Sequence, residues 1–252
     1  MKKFGVFAAC IWAAFFFWAF PCVSCRADGH ARERLSSFTT YFNTKDGGRC
    51  ENIALAAARI DGIALQPYGE FSFNAVVGAR TKENGFMQAK IISQGEFVLG
   101  VGGGVCQVST TLYNAALLSG LTVTEQHPHS LSVGYVAPSR DAMVSSASDL
   151  KLYNPFDETV YFSVKAKEGV LTVTVRGKRT GYTYEIESKT IAALPPLPPL
   201  ETEDEKAVRE GKNGVKSEAY LKTYQSGVLI GVKRLRTDIY APMRGKIYKQ
   251  PE

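Results

Sequence analysis

Four glycines within five residues, Gly100, Gly102, Gly103 and Gly104, run straight into Cys106 and then into a helical pattern. Val105, Val108, Leu112, Ala115 and Ala116 recur at three- and four-residue spacing, which predicts one apolar helix face. Ser119-Gly120 closes the pattern, because glycine readily takes the left-handed conformation just past a helix end. Cys106 is thereby placed in the first turn of a helix. Unpaired N–H groups and the positive end of the helix dipole favour a thiolate there. The glycines ahead of it let a ligand or another backbone come close.

The N-terminus carries a targeting pattern. Lys2-Lys3 is followed by an apolar run from Phe4 to Phe20 without a charge, then by Pro21 and small or polar residues. This is the layout of a secretory signal, with an uncleaved anchor as an alternative. Val23-Ser24-Cys25 offers a loose lipoprotein site, with Cys22 where such sites usually have leucine. Each of these places the mature protein outside the cytoplasm: periplasmic, on the cell surface or secreted. Contact with a membrane is expected only through this segment. The net charge of +6 falls to +3 once Lys2, Lys3 and Arg26 are set aside, and the remainder is spread along the chain. Such a surface has no nucleic-acid footprint.

The same segment changes the cysteine count. Cys10, Cys22 and Cys25 belong to it or its edge, so Cys50 and Cys106 remain in the body. In an oxidising compartment these two could pair, or one could be buried and the other reactive.

Along the chain, Leu35–Phe42 alternates as a strand, and Asn52 to Ile63 has helical periodicity closed near Gly62. Glu70–Phe73 reads as a short strand, Asn74–Asn84 as an ordered loop and Ala89–Ile92 as a strand. Strands are predicted at Leu121–Glu125, Leu131–Val136 and Asp149–Tyr153, and a hairpin at Thr159–Lys165 and Val170–Val175. This order predicts an α+β fold, with helices packed on a mostly antiparallel sheet and a key helix opened by the glycine-rich loop and Cys106. We divide the chain into a signal or anchor over 1–27, an α+β domain over 28–180, a Pro-rich and charged linker over 181–214, and a small β-type extension over 215–252. The extension is too small for its own core and is expected to pack back on the body or to serve as an attachment.

Several residues could carry chemistry. A thiol nucleophile needs a base, and the base needs an orienting group. Cysteine hydrolases of papain-like and NlpC-type architecture share this layout, with the cysteine opening a helix and a histidine on a following strand. Here His127 and His129 follow Cys106, and Asp141 or Asp149 could orient an imidazole. Gln107 or the amides of Gly102, Gly103 and Gly104 could hold an oxyanion. Arg80, in the loop after Asn74, could clamp a carboxylate. His127-Pro-His129 could also serve a metal. With no Cys-x-x-Cys beyond Cys22–Cys25 of the targeting segment and no His-Glu-x-x-His, no metal and no cofactor are expected. The glycine run lacks the lysine and spacing of a phosphate loop.

Certain runs resemble the VanW-like family, which is associated by name with vancomycin-resistance gene clusters. They are Gly69–Asn74 with Val77-Gly78 and Arg80-Thr81; Gly102-Gly-Gly-Val-Cys-Gln-Val-Ser-Thr-Thr-Leu-Tyr-Asn-Ala115; His129-Ser130; and Asp141-Ala142 with Asp149–Leu152. The similarity extends over about residues 38–178, with a weaker echo at Tyr220–Tyr240. It departs from the family at Pro67-Tyr68-Gly69-Glu70, where the family tends to read Pro-Gly-Glu. The resemblance implies a bacterial cell-envelope role, with peptidoglycan or its stem peptides as the partner. Two readings follow. In the first, the chain is a peptidoglycan peptide hydrolase or transpeptidase with Cys106 as nucleophile, His129 as base (His127 as second choice) and Asp141 as orienter. In the second, it is a non-catalytic envelope-binding module whose groove is formed by Gly102–Gly104, Gln107, Ser109, Thr110, Asn74 and Arg80.

Overall fold

The computed structural model describes residues 33–93 and 95–250; the expected signal or anchor over 1–27 lies outside them. The chain begins with strand β1 (Glu33–Tyr41), helix α1 (Gly47–Ile60), strands β2 (Ala64–Leu65) and β3 (Glu70–Ser72), and a short helix α2 (Phe73–Val77). Strands β4 (Gln88–Ser93) and β5 (Glu96–Val101) form a hairpin leading to helix α3 (Val105–Ser119). Strands β6 (Thr122–Glu125), β7 (Lys151–Tyr153), β8 (Val160–Lys167), β9 (Val170–Gly177) and β10 (Tyr182–Leu194) follow. The chain continues through β11 (Leu200–Thr202), β12 (Gly214–Gln225), β13 (Val228–Tyr240) and β14 (Lys246–Tyr248). Strands outnumber helices, and the class is α+β. Among the described strands every pairing is antiparallel except β11 with β14.

A four-stranded sheet in the order β1-β9-β8-β2 lies beside α1 and α3. Helix α1 starts because the Asp46 carboxylate accepts from the Arg49 amide at 3.1 Å, and it buries Ile53, Ala56, Ala57 and Ile60 on one side. Helix α3 differs from the one-faced helix its spacing predicts, since all but two of its residues are buried. Its polar side chains are inside because each finds a partner. Ser36 Oγ donates to the Ala115 carbonyl at 2.6 Å, and Thr40 and Thr111 share a 2.8 Å hydrogen bond. Among the described residues no buried side-chain nitrogen or oxygen lacks a hydrogen-bond partner.

The polar face of α3 laces an extended segment alongside it. The Cys106 sulfur meets the Val144 carbonyl and amide at 3.4 and 3.5 Å. One turn on, Ser109 Oγ donates to the Ala142 carbonyl at 2.6 Å, and Thr110 Oγ1 accepts from the Ala142 amide at 2.9 Å. At the next turn, Asn114 holds the Arg140 carbonyl and accepts from Arg140 Nε at 2.7 and 2.9 Å. Alternate residues 140, 142 and 144 thus match successive helical turns, as an extended chain running along a helix allows.

Four local expectations are corrected. Residues 131–136 form irregular loop rather than a strand, since no neighbouring strand pairs with them. The loop expected at 74–84 opens with α2, capped by Ser72 and by Asp149, whose Oδ1 accepts from the Asn74 amide at 2.9 Å. Residues 182–194, placed in a linker, form β10 and pair along their length with β12. The charged run from 201 contains β11, a 3-10 turn at Glu205–Ala207 and bridges to the β14 region. The tail forms a sheet in the order β10-β12-β13 that packs on the body, where Gly120 at the end of α3 abuts the Tyr184 ring.

The glycine run is explained by close approach. A Cβ at Gly103 would lie 2.6 Å from the Lys90 carbonyl oxygen and 2.9 Å from the Ala89 carbonyl carbon, both backbone atoms of β4. Asn52 ties the same turn down, its amide donating to the Met87 and Gly103 carbonyls at 2.9 Å each. Gly103→Ala is expected to destabilise the protein by about 1–3 kcal/mol. Gly47→Ala, at an open position with nothing within 4 Å, is expected to stay within about 0.5 kcal/mol of the parent. Urea denaturation of the two variants checks this pair.

Candidate functional site

Cys106 occupies the first turn of α3, behind Gly104, which is the residue preceding the helix. The Val105 and Gln107 amides are taken by the Gly102 and Gly104 carbonyls at 3.1 and 2.9 Å. The Cys106 amide sits between them at the helix start, where first-turn N–H groups have no partner in their own helix. The half-buried sulfur opens into a cleft of about 940 Å³. Ile91 and Phe97 of the β4–β5 hairpin, Arg80, Tyr135 and His129 line that cleft with Cys106.

His129 lines the same cleft as Cys106, and the two side chains influence each other's charge. His129 Nδ1 lies 2.6 Å from Asp141 Oδ2, which also accepts from the His129 amide at 2.7 Å. A carboxylate only accepts, so Nδ1 carries the proton and Nε2 is the nitrogen left for the thiol. Asp141 is 1% exposed. Its Oδ1 accepts from the Tyr240 hydroxyl at 2.5 Å and from Arg236 Nη2 at 3.1 Å, and its main-chain carbonyl accepts from Arg236 Nη1 at 2.7 Å.

The electrostatics follow from these contacts. Burial pushes the Cys106 pKa up, but the His129 imidazole, the Val144 amide and the nearby Arg80 charge together bring it below the ordinary thiol value. Burial pushes the His129 pKa down, but the Asp141 carboxylate and the facing Cys106 raise it to about 9. Burial disfavours the Asp141 charge, and hydrogen bonding from His129 with the charge of Arg236 outweighs that, so its pKa is lowered. These contacts favour the charged form of Cys106 and the protonated form of His129.

The structure separates the other sequence-predicted residues by role. His127, the second choice for base, turns away to Glu125 Oε1 at 3.0 Å and does not line the cleft. Its alternation with His129 is broken by the intervening proline, as its isolated bridge to Met143 indicates. Gln107 cannot serve an oxyanion in this arrangement. Its Nε2 donates to Thr40 Oγ1 and the Tyr41 carbonyl at 3.0 and 2.9 Å, and its Oε1 accepts from Arg49 at 2.7 Å. Ser109 and Thr110 are fully buried in the lacing to Ala142 and do not line the cleft. Asp149 caps α2 and takes the Ser72 hydroxyl at 2.5 Å, leaving Asp141 as the orienter. Asn74 lines the cleft, yet its side chain is spent on the Ser145 and Ser148 carbonyls and on Arg80. Arg80 is held by Asn74 Oδ1 at 2.7 Å and the Gly78 carbonyl at 3.1 Å, both through Nη1. Gly102 makes room for it, since a Cβ there would lie 2.9 Å from the Arg80 Cβ. Cys50 and Cys106 are both free, and Cys50 contacts the Asn43 and Thr44 carbonyls instead.

Three residues were missed from sequence. Tyr135 lines the cleft with Cys106, and burial followed by the Cys106 charge raises its pKa. No spacing signal marks it. Arg236 and Tyr240 come from β13, and for them a signal exists. Arg236, Asp238 and Tyr240 alternate, which puts three polar side chains on one strand face, while Ile239 between them is 65% exposed. A polar inward face with an apolar outward residue inverts the ordinary pattern and marks a buried polar network.

The VanW like protein family matches residues 48–176. YoaR of Bacillus subtilis (strain 168) is 37% identical over 167 residues, 66% of this chain and 53% of that protein. The vancomycin B-type resistance protein VanW of Enterococcus faecalis (strain ATCC 700802 / V583) is 29% identical over 148 residues, 56% of this chain and 54% of that protein. The chain spans about half the length of each of these relatives. The crystal structure of HP0197-G5 aligns with 27% of this chain and 96% of its own, at 18% identity and a TM-score of 0.17.

The pH dependence of Cys106 is testable without a substrate. The alkylation rate of Cys106 is expected to reach its plateau well below the free-thiol pKa of about 8.5. In His129→Ala, burial acts without its counterweight and the midpoint moves up to about 8.5 or beyond. Iodoacetamide labelling read by peptide mapping across pH checks both.

Proposed function

The chain belongs to the VanW-like family, and on that premise we propose that it is an exported, cysteine-dependent acyl-transfer enzyme acting on the peptides of peptidoglycan. The observation that carries this reading is the row Cys106, His129, Asp141 at a helix N-terminus facing a large cleft. Support for the substrate is of a different kind. One relative is named for resistance to vancomycin, an antibiotic of the cell wall, and the apolar segment after Lys2-Lys3 has the pattern of export.

The chemistry proceeds in two halves. The Cys106 thiolate attacks a peptide carbonyl carbon, and the carbonyl electron pair moves to oxygen. The Cys106 amide at the helix start stabilises that oxyanion. As the tetrahedral intermediate collapses, the C–N bond breaks and His129 gives its Nε2 proton to the leaving amine. A thioester on Cys106 remains. An incoming amine, or water, then loses its proton to His129 as it attacks the thioester, and the thiolate leaves. With an amine the product is a cross-link, and with water a shortened peptide. Asp141 holds the imidazole in the Nδ1–H tautomer throughout and stabilises its positive charge. Arg80, a half-buried cation beside the sulfur, is the group to receive a carboxylate of the peptide.

A binding module would use the same cleft but would leave the Cys106–His129–Asp141 row without a task, so the enzyme reading is preferred. Cys106→Ala is expected to keep the fold and the thermal midpoint while losing more than about a thousandfold in turnover of muropeptides. Chromatography of muropeptide digests checks this. Turnover retained by folded Cys106→Ala protein would end the reading, and saturable sacculus binding by both proteins with no product would replace it with the binding module.

A further inference from the structure

The family match ends at residue 176, yet two of the four donors to the Asp141 carboxylate, Arg236 and Tyr240, come from the sheet beyond it. All three strands of that sheet grip one turn, residues 138–141. From β10, Ser188 Oγ donates to the Pro138 carbonyl at 2.6 Å. From β12, Ser217 Oγ lies 2.7 Å from Ser139 Oγ. From β13, the Tyr240 oxygen accepts from the Ser139 amide at 2.7 Å while its hydroxyl hydrogen goes to Asp141 Oδ1 at 2.5 Å. Arg236 takes both the side chain and the main-chain carbonyl of Asp141.

Two features show that this grip is specific. Ser139 has φ +59°, a left-handed conformation that a non-glycine residue holds only when its surroundings compel it. Its side chain is fully buried, and its amide and hydroxyl are both taken by the C-terminal sheet. The second feature is a bulge. Ala219 pairs with Arg236 and Tyr220 with Arg234, so Leu235 is an extra residue in β13. A bulge re-aims the residues that follow it. Here it sends Leu235 toward the core and sets Arg236, Asp238 and Tyr240 on the face toward Asp141.

We propose that the C-terminal sheet is a working part of the site, with Arg236 and Tyr240 as positioning residues that fix Asp141 and, through it, the His129 imidazole against Cys106. The inference rests on the enzyme reading of that row. It adds that the family-matched segment is incomplete by itself. The mechanism is direct: Asp141 has two oxygens, one committed to His129 and the other to β13. Removing the β13 partners frees the carboxylate to rotate, and the Nδ1–H to Oδ2 line that aims Nε2 at sulfur is lost. The other charged and titratable groups facing this cluster are Asp238, which pairs with Arg236 at 2.5 Å, and Tyr113 of α3, which feels the Arg236 charge. Around the sulfur they are Arg80 and Tyr135.

The test is the alkylation rate of Cys106 in the full chain, read by peptide mapping so that the other cysteines do not interfere. Tyr240→Phe and Arg236→Met are each expected to lower the rate about tenfold at about pH 6, because the thiolate is less populated there. Arg236→Lys is expected to recover part of the loss. In an Asp141→Asn background the β13 substitutions are expected to add nothing, since they act through Asp141. A purely structural role would lower the thermal midpoint and leave the rate unchanged in folded protein, and that result overturns the inference, as does equal loss with and without Asp141. If Arg236→Met fails to fold, Tyr240→Phe, which removes one oxygen, carries the test. A parent protein without an accelerated thiol would instead remove the enzyme reading beneath it.

Discussion

The Asp141 carboxylate is 1% exposed and would cost several kcal/mol there without partners. Four donors surround it: the His129 amide and ring, the Tyr240 hydroxyl and the Arg236 guanidinium. Those donors come from two parts of the chain roughly a hundred residues apart in sequence. The turn that carries Asp141 is fixed on one side by the polar face of α3 and on the other by the C-terminal sheet. The carboxylate is the common acceptor, so the proposed aim of His129 at Cys106 rests on it.

This gives the recurring polar residues of α3 a physical meaning. Gln107, Ser109 and Thr110 read as part of a ligand-binding groove when placed on a helix without its surroundings. In the fold they are tension lines. Gln107 ties α3 to β1 and α1, and Ser109, Thr110 and Asn114 lace residues 140–142 along the helix. Each such bond contributes modestly, about 0.5–1.5 kcal/mol. Their consequence for chemistry is positional, because they carry Asp141 to the level of Cys106. The glycines work in the same way: Gly103 lets β4 pass under the helix start, and Gly102 lets Arg80 lie beside the sulfur.

Much of this was legible from local pattern. The apolar periodicity of α1 and α3, the hairpin β8–β9 and the position of Cys106 at a helix start are properties of short windows, and short windows govern them. The choice between His127 and His129 was not legible, because it depends on where Glu125 and Asp141 arrive in space. The strand β10 was masked by its proline-rich sequel, and its existence depends on β12, a partner some thirty residues away. Arg236 and Tyr240 escaped for a related reason. Their alternation was visible, but an alternating Arg-x-Asp-x-Tyr reads as a solvated strand face until Asp141 is known to lie against it. Tyr135 sits on an irregular loop, and no period predicts where such a loop turns its side chains.

In the proposed reaction Cys106 carries the acyl group. The most direct measurement is intact-protein mass spectrometry of the chain rapidly acid-quenched while it processes purified muropeptides, followed by peptide mapping. The account predicts a mass increase equal to the acyl part of the peptide, labile to hydroxylamine as a thioester is, and located on Cys106. Product formation with no adduct on Cys106 at any quench time, together with undiminished activity after Cys106 is alkylated, would contradict it.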